Sequence, residues 1–214
     1  MIYLIITASL ENKHPTLNPY EDRLSRYQYA IKKSLESVTS LEEDIQPIIV
    51  ENNGKRITPL EDLTWRGNLV PVIYTSNNAA RYRNKGVNEL LDLQEVIRRI
   101  GIKSNDILIK LTGRYRLLSS QLIEHVKKTQ REFDLWMKFF NVCTMNYDEK
   151  DCVLGIYAVR VQYIEWMSSQ WLNLFDSPEI AFAKYMTQSV SRICRLNHLD
   201  LECVFSENGR VVEV

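Results

Sequence analysis

A chain of 214 residues is long enough for one domain with a sizeable core. Its 27 Lys and Arg balance 27 Asp and Glu. The chain therefore lacks the basic surplus on which duplex or single-strand contacts depend, which argues against nucleic acid as a partner. Cys143, Cys152, Cys194 and Cys203 lie far apart without C-x-x-C spacing, so they read as buried thiols of a reducing compartment. His14, His125 and His198 are scattered and match no metal motif. The apolar run 2–6 is too short for a membrane span and lacks a basic flank or cleavage site. A soluble, cytoplasmic protein without a transmembrane segment is expected.

In chain order, Ile2–Thr7 predicts a strand and Tyr20–Val38 a helix, with apolar residues at Tyr20, Leu24, Tyr27, Ile31, Leu35 and Val38. Ile45–Val50 predicts a second strand, closed by Glu51-Asn52-Asn53-Gly54. Thr58–Trp65 reads as a short helical turn and Leu69–Thr75 as a third strand. Val87–Ile100 carries a second helical stripe that Gly101 stops. Ile107–Leu111 is a fourth, apolar strand. This alternation predicts an α/β fold, a mostly parallel central sheet flanked by helices. In the second half, 120–129 and 162–175 read as helices and 133–140 and 153–161 as strands. Ser177-Pro178-Glu179 opens a last helix, with Ser at the cap and Pro at the first position. Segments 199–205 and 211–214 read as a hairpin turning at Glu207-Asn208-Gly209.

Each strand of the first half ends in polar residues: Thr7, Ala8 and Ser9; Glu51, Asn52 and Asn53; Thr75, Ser76, Asn77 and Asn78; Lys110, Thr112, Gly113, Arg114 and Tyr115. Any one such loop is ordinary turn chemistry. Four at the same edge of one sheet predict a ligand site, because open α/β sheets bind at the carboxyl ends of their strands. A nucleotide with a diphosphate fits best. An acid or amide after the second strand can meet a base edge or ribose hydroxyls. Asn84, Lys85 and Gly86 put a cation and free backbone donors at a helix start. Arg114 can grip phosphate in a bidentate manner. The chain has neither G-x-x-x-x-G-K-[ST] nor G-x-G-x-x-G, which disfavours P-loop ATPases and Rossmann dehydrogenases.

Taken together, the first strand with its polar loop, Glu51-Asn52-Asn53, Tyr74-Thr75-Ser76-Asn77-Asn78, Asn84-Lys85-Gly86-Val87-Asn88-Glu89 and Lys110-Leu111-Thr112-Gly113-Arg114-Tyr115 resemble small glycosyltransferases of the GT-A type. Similar enzymes occur in bacteria and in large DNA viruses of algae and amoebae. Gly155-Ile156-Tyr157-Ala158-Val159-Arg160 and Pro178-Glu179-Ile180-Ala181-Phe182 are similar too. The resemblance implies a single domain over 1–214. Residues 1–116 would hold a nucleotide-sugar donor through Thr7, Ala8, Ser9, Glu51, Asn52, Asn77, Asn84, Lys85, Lys110, Thr112, Gly113 and Arg114. Residues 117–214 would hold a glycan or other hydroxyl acceptor. Many GT-A enzymes carry Asp-x-Asp at the end of the fourth strand to hold a divalent metal. Here that place reads Lys110-Leu111-Thr112, and no Asp-x-Asp occurs in the chain, which leaves dependence on Mn or Mg open. Cationic side chains can do the same electrostatic work on a leaving diphosphate.

Inverting transfer needs a general base for the acceptor hydroxyl. Glu179 is the first candidate; an acid there also suits the helix dipole. Asp148, Glu149 and Asp151 are the second candidates. Trp136, Trp166 and Trp171 could stack on sugars, with Trp166 and Trp171 expected in a helix, although such tryptophans are commonly core. A nucleotidyltransferase making nucleotide sugars is the alternative enzyme, but Thr7-Ala8-Ser9-Leu10 lacks the glycine its phosphate loop uses. A non-catalytic nucleotide- or sugar-binding module is the alternative outside enzymes.

Overall fold

The computed structural model describes residues 1–11, 23–41, 45–79, 81–82, 84–205 and 210–214. Its central sheet is built from β1 (Ile2–Ala8), β2 (Ile45–Glu51), β5 (Val72–Tyr74), β6 (Ile107–Thr112), β8 (Leu135–Met137), β9 (Ile156–Arg160) and β10 (Ile193–Arg195). Across the sheet these seven strands lie in the order β10, β8, β9, β6, β1, β2, β5. β5, β2, β1 and β6 run parallel, so all four carboxyl ends reach one edge. β9 inserts antiparallel between β6 and β8, and β10 pairs parallel with β8.

Side-chain alternation divides the core between two faces. On one face Leu4, Ile6, Ile109 and Leu111 pack beneath α1 (Arg23–Ser37) through Tyr27, Ile31 and Leu35. On the other, Tyr3, Ile5, Ile48, Val50 and Leu108 meet α2 (Lys85–Ile100) and α6 (Pro178–Ser189). α3 (Gln121–Thr129) adds Leu122, Ile123 and Val126 to the α1 side. α2 starts at Asn84, whose side chain accepts from Val87 N, and stops at Gly101 in the left-handed region at φ 72°. β7 (Arg116–Leu117), β11 (Leu201–Val204) and β12 (Val211–Glu213) form a small antiparallel sheet.

The α/β architecture and parallel order match the expectation from the sequence. The details differ where local pattern competes with tertiary packing. The expected strand 69–75 divides at Val70-Pro71: Leu69 ends β4 (Asn68–Leu69), which pairs with β3 (Thr64–Trp65) in a hairpin, and the remainder forms the short β5. Strands 133–140 and 153–161 shrink to β8 and β9. The expected helix 162–175 breaks into α4 (Val161–Glu165) and α5 (Ser169–Leu172), the second capped by Ser168. Trp166 therefore lies between helices and is 68% exposed. Trp136 is core, with its indole N–H donating to Thr129 Oγ1 at 2.9 Å. The cysteines are all free; Cys152 and Cys203 are buried, Cys194 is half-buried, and Cys143, expected inside, is exposed. The start of the predicted first helix at Tyr20, His14 and the turn 207–209 lie outside the described residues. Among the described residues no helix is long and apolar enough to cross a membrane.

Candidate active site at the carboxyl edge of the sheet

The polar ends of β1, β2, β5 and β6 meet along the shared edge, and α2 and α6 bring further side chains to it. Strand alternation points Thr7 and Lys110 toward the α2 face. Lys110 is 1% exposed. Its ammonium donates to Thr112 Oγ1 at 2.7 Å and to Leu154 O at 2.6 Å, and pairs with Glu89 Oε1 at 2.8 Å. The same Glu89 oxygen accepts from Thr7 Oγ1 at 2.6 Å. Three N–H groups thus have three acceptors. Burial lowers the Lys110 pKa, and Glu89 works against that shift.

A second carboxylate, Asp92, ties the two loops after β2 and β5 to α2. It accepts from Asn52 Nδ2 at 3.0 Å, from Asn77 Nδ2 at 3.0 Å and from the Thr75 hydroxyl. Burial pushes its carboxyl up to about 7, while these donors pull the other way. Glu51, fully buried, accepts from Leu10 N at 3.3 Å and Asn53 N at 3.1 Å, and Arg56 reaches it at 3.4 Å. Asn78 connects this loop to that after β1, donating to Asn53 Oδ1 at 2.6 Å and Glu11 O at 2.8 Å. The nucleoside side of the predicted site is thus a preformed polar scaffold.

The start of α2 has a different environment from a free helix end. Asn84 caps the helix and donates to Leu172 O at 3.0 Å and Phe175 O at 2.7 Å, so its amide is committed to protein groups. A Cβ on Gly86 would overlap Pro178 Cβ, so α6 abuts α2 there. Lys85 is exposed. A cavity of ≈ 20 Å³ lies behind this contact, lined among others by Glu89, Tyr157 and Phe182. It is the size of one water rather than a ligand.

Gly113 lies against β1 and α1. Its N–H donates to Thr7 O at 2.8 Å, and a Cβ would meet that oxygen at 2.8 Å and Tyr27 Cδ1 at 3.1 Å. Arg114 follows on the α1 side, where Nε donates to Val204 O at 3.2 Å and Nη2 to Tyr115 Oη at 3.3 Å. Ala8 is buried, while Ser9 holds Arg23 through its carbonyl, at 3.1 Å from Nε and 2.6 Å from Nη2.

Glu179 opens α6 in a half-buried position. Ser177 Oγ donates to its Oε2 at 2.9 Å and accepts from Ile180 N at 3.2 Å. Asp151 is its electrostatic neighbour: burial raises the Asp151 pKa, with Glu179 adding to the rise. Cys152 links them, its N–H donating to Asp151 Oδ1 at 2.8 Å and its Sγ to Glu179 O at 3.2 Å. Glu149 instead pairs with Arg195 at 2.7 Å, and Asp148 accepts from Lys150 N at 2.9 Å.

The sequence reading assigned no role to Glu89, Asp92 or Arg23. Asp92 had a visible signal, since it interrupts the apolar stripe of α2 between Leu91 and Leu93. Arg23 had none, because only the folded chain brings the start of α1 to Ser9.

The donor set does not fit the divalent metal of many GT-A enzymes. An ammonium occupies the place of Asp-x-Asp, and its neighbouring carboxylate is taken by that ammonium. Among the described residues no group of three or more His, Cys, Asp or Glu could hold a metal ion.

The sheet order and edge define a GT-A-like, nucleotide-diphospho-sugar transferase fold. No known family profile and no curated protein sequence matches the chain. Among solved structures, the chain is similar to the galactosyltransferase LgtC in complex with donor and acceptor sugar analogs, with TM-score 0.59 and 12% identity over 92% of this chain and 73% of that one. It is also similar to residues 1–349 of S. aureus TarS, with TM-score 0.55 and 11% identity over 91% of this chain and 57% of that one. A cytidylyltransferase from Leptospira borgpetersenii aligns with TM-score 0.53 and 13% identity over 100% of this chain and 81% of its own.

Proposed function

We propose that the protein is a glycosyltransferase that moves a sugar from a nucleotide-sugar donor to a hydroxyl acceptor, with inversion. The observation that carries this reading is the meeting of four polar strand ends at one edge of a GT-A-like sheet. The nucleoside would lie against the β1 and β2 loops, at Thr7, Ala8, Ser9, Glu51 and Asn52, with Asn77 nearby. The diphosphate would lie toward Thr112, Gly113 and Arg114, with Asn84, Lys85 and Lys110 bounding the α2 side. Residues 117–214 would present the acceptor. Glu179, beside Asp151, would take the proton from the acceptor hydroxyl as that oxygen attacks the anomeric carbon and the nucleoside diphosphate departs.

A panel of nucleoside diphosphate sugars in a thermal-shift assay tests the reading. A ligand at a hundred times its Kd adds about 2.7 kcal/mol of stability. Released sugar or glycosylated acceptor, identified by mass, is the expected product. Absence of stabilisation across the panel would overturn the reading. The likeness to a cytidylyltransferase over the whole chain favours one rival. Pyrophosphate release from a nucleoside triphosphate with sugar phosphate would identify that rival.

A further inference from the structure

A departing diphosphate needs a counter-charge that remains in place during reaction. Lys110 cannot supply it from its present position, because Glu89 neutralises it and all three of its protons are used. Two other cations reach the same edge from the α1 side. Arg23 extends from the first described turn of α1 to the carbonyl of Ser9, after β1. Arg114 extends from the turn after β6. Tyr27 joins them: its hydroxyl lies 3.5 Å from Arg23 Nη2 and the side chain also interacts with Arg114.

The partners of these two guanidiniums are neutral oxygens. Arg23 uses Ser9 O and Tyr27 Oη, and Arg114 uses Val204 O and Tyr115 Oη. Among the described residues no carboxylate forms an ion pair with either one. Aromatic faces also orient them: Arg23 Cζ lies 5.6 Å from the Tyr27 ring centroid, and Arg114 Cζ lies 4.9 Å from that of Tyr115. Both are half-buried. Two like charges held side by side by neutral oxygens and aromatic faces, without a compensating acid among the described residues, form a site for an anion with spread charge. Guanidinium forks match phosphate oxygens in a bidentate way.

We infer that Arg23 and Arg114, joined through Tyr27, form a clamp for a diphosphate that replaces a divalent metal in this protein. The identity of the anion as the donor's diphosphate rests on the function proposed above; the clamp itself rests on the arginines. Gly113 lets the turn that carries Arg114 pack against β1 and Tyr27, since a Cβ there would meet Thr7 O at 2.8 Å and Tyr27 Cδ1 at 3.1 Å.

Calorimetric binding of inorganic pyrophosphate in EDTA tests the clamp, and a panel of nucleoside diphosphates tests the donor reading separately. The wild-type protein should bind pyrophosphate in EDTA, with affinity changing less than about twofold when EDTA is replaced by Mn²⁺ after correction for metal–pyrophosphate association. Arg23→Gln and Arg114→Gln should each weaken binding at least about tenfold, and Arg23→Lys should lose less than Arg23→Gln. Circular dichroism checks that each variant is folded. Should Arg114→Gln fail to fold, Arg23→Gln alone decides, because it changes a half-exposed residue at a helix start. Wild-type affinity in folded Arg23→Gln, or binding that requires Mn²⁺, overturns the clamp. If pyrophosphate binds as expected but no nucleoside diphosphate does, the clamp stands and the donor reading falls.

Discussion

Lys110 and Glu89 form a 2.8 Å ion pair that joins the carboxyl end of β6 to the second turn of α2. Thr7 Oγ1 donates to the same carboxylate, so β1, β6 and α2 converge on one group. A buried pair contributes little against a well-packed apolar replacement, but removing one partner leaves an uncompensated charge. Lys110→Met is therefore expected to cost ~3–5 kcal/mol in denaturant unfolding. Lys110→Met combined with Glu89→Leu should recover much of that loss. Equal losses in the single and double variants would show that the pair does not act as a unit.

Asp92 makes stability depend on pH. Its folded pKa is raised to about 7 from the ordinary carboxyl value of 3.8. The folded state therefore holds the proton more tightly, and the contribution favours folding below about 4 and is lost as pH rises through about 7. Relative to Asp92→Asn, the wild-type protein should gain stability as pH falls across that window. A pH-independent difference would contradict the assignment.

The same contacts predict a rescue. Asn at position 92 would turn its NH₂ toward Asn52 Nδ2 or toward the Thr75 and Asn77 donors, leaving a donor without an acceptor. Asp92→Asn should cost ~1–3 kcal/mol at neutral pH, the range for an unsatisfied buried group. Adding Asn52→Asp restores one acceptor to the pair and should return at least half of the loss, measured by thermal unfolding.

How far this arrangement was legible in the sequence depended on range. β1, α1, β2, α2 and β6 follow from apolar periodicity, and Ser177-Pro178 and Gly101 act locally as cap and stop, so these were readable. The break between α4 and α5 was not, because the carbonyls of Ile164 and Met167 are bound by Gln94 of distant α2, at 2.9 and 2.8 Å. The polar strand ends were readable as candidates. Their partners were not: Asp92, Glu89 and Arg23 reach the site only through the packing of helices on opposite faces of the sheet. Arg114 was readable as a cation, but its placement with Arg23 depends on Tyr27.

Gly86 is required by the approach of one helix to another. A methyl group there would overlap Pro178 Cβ and stand 3.1 Å from Asn84 Oδ1. Gly86→Ala should destabilise by ~1–3 kcal/mol through overpacking, despite the better helix propensity of Ala. Chemical unfolding checks this, and a stabilised variant would mean that α6 shifts without penalty.

Glu179→Gln is expected to fold, to retain donor binding and to lose ~10²-fold or more of sugar transfer, as for removal of a general base. The half-buried carboxylate is held at the start of α6 by Ser177 Oγ, 2.9 Å from Oε2. Asp151 is the other acid at this place, and burial raises its pKa, with Glu179 contributing to the rise. The two can be separated by their pH profiles. If Glu179 is the base, Asp151→Asn should keep most of the maximal transfer rate. If Asp151 is the base, Asp151→Asn loses transfer, and Glu179→Gln keeps transfer while moving the limb that rises with pH toward lower pH, because a neighbouring negative charge has been removed. Near-wild-type transfer in both variants would remove this acidic pair from the chemistry, leaving Glu179 as an acid in the first turn of α6, behind the Ser177 cap.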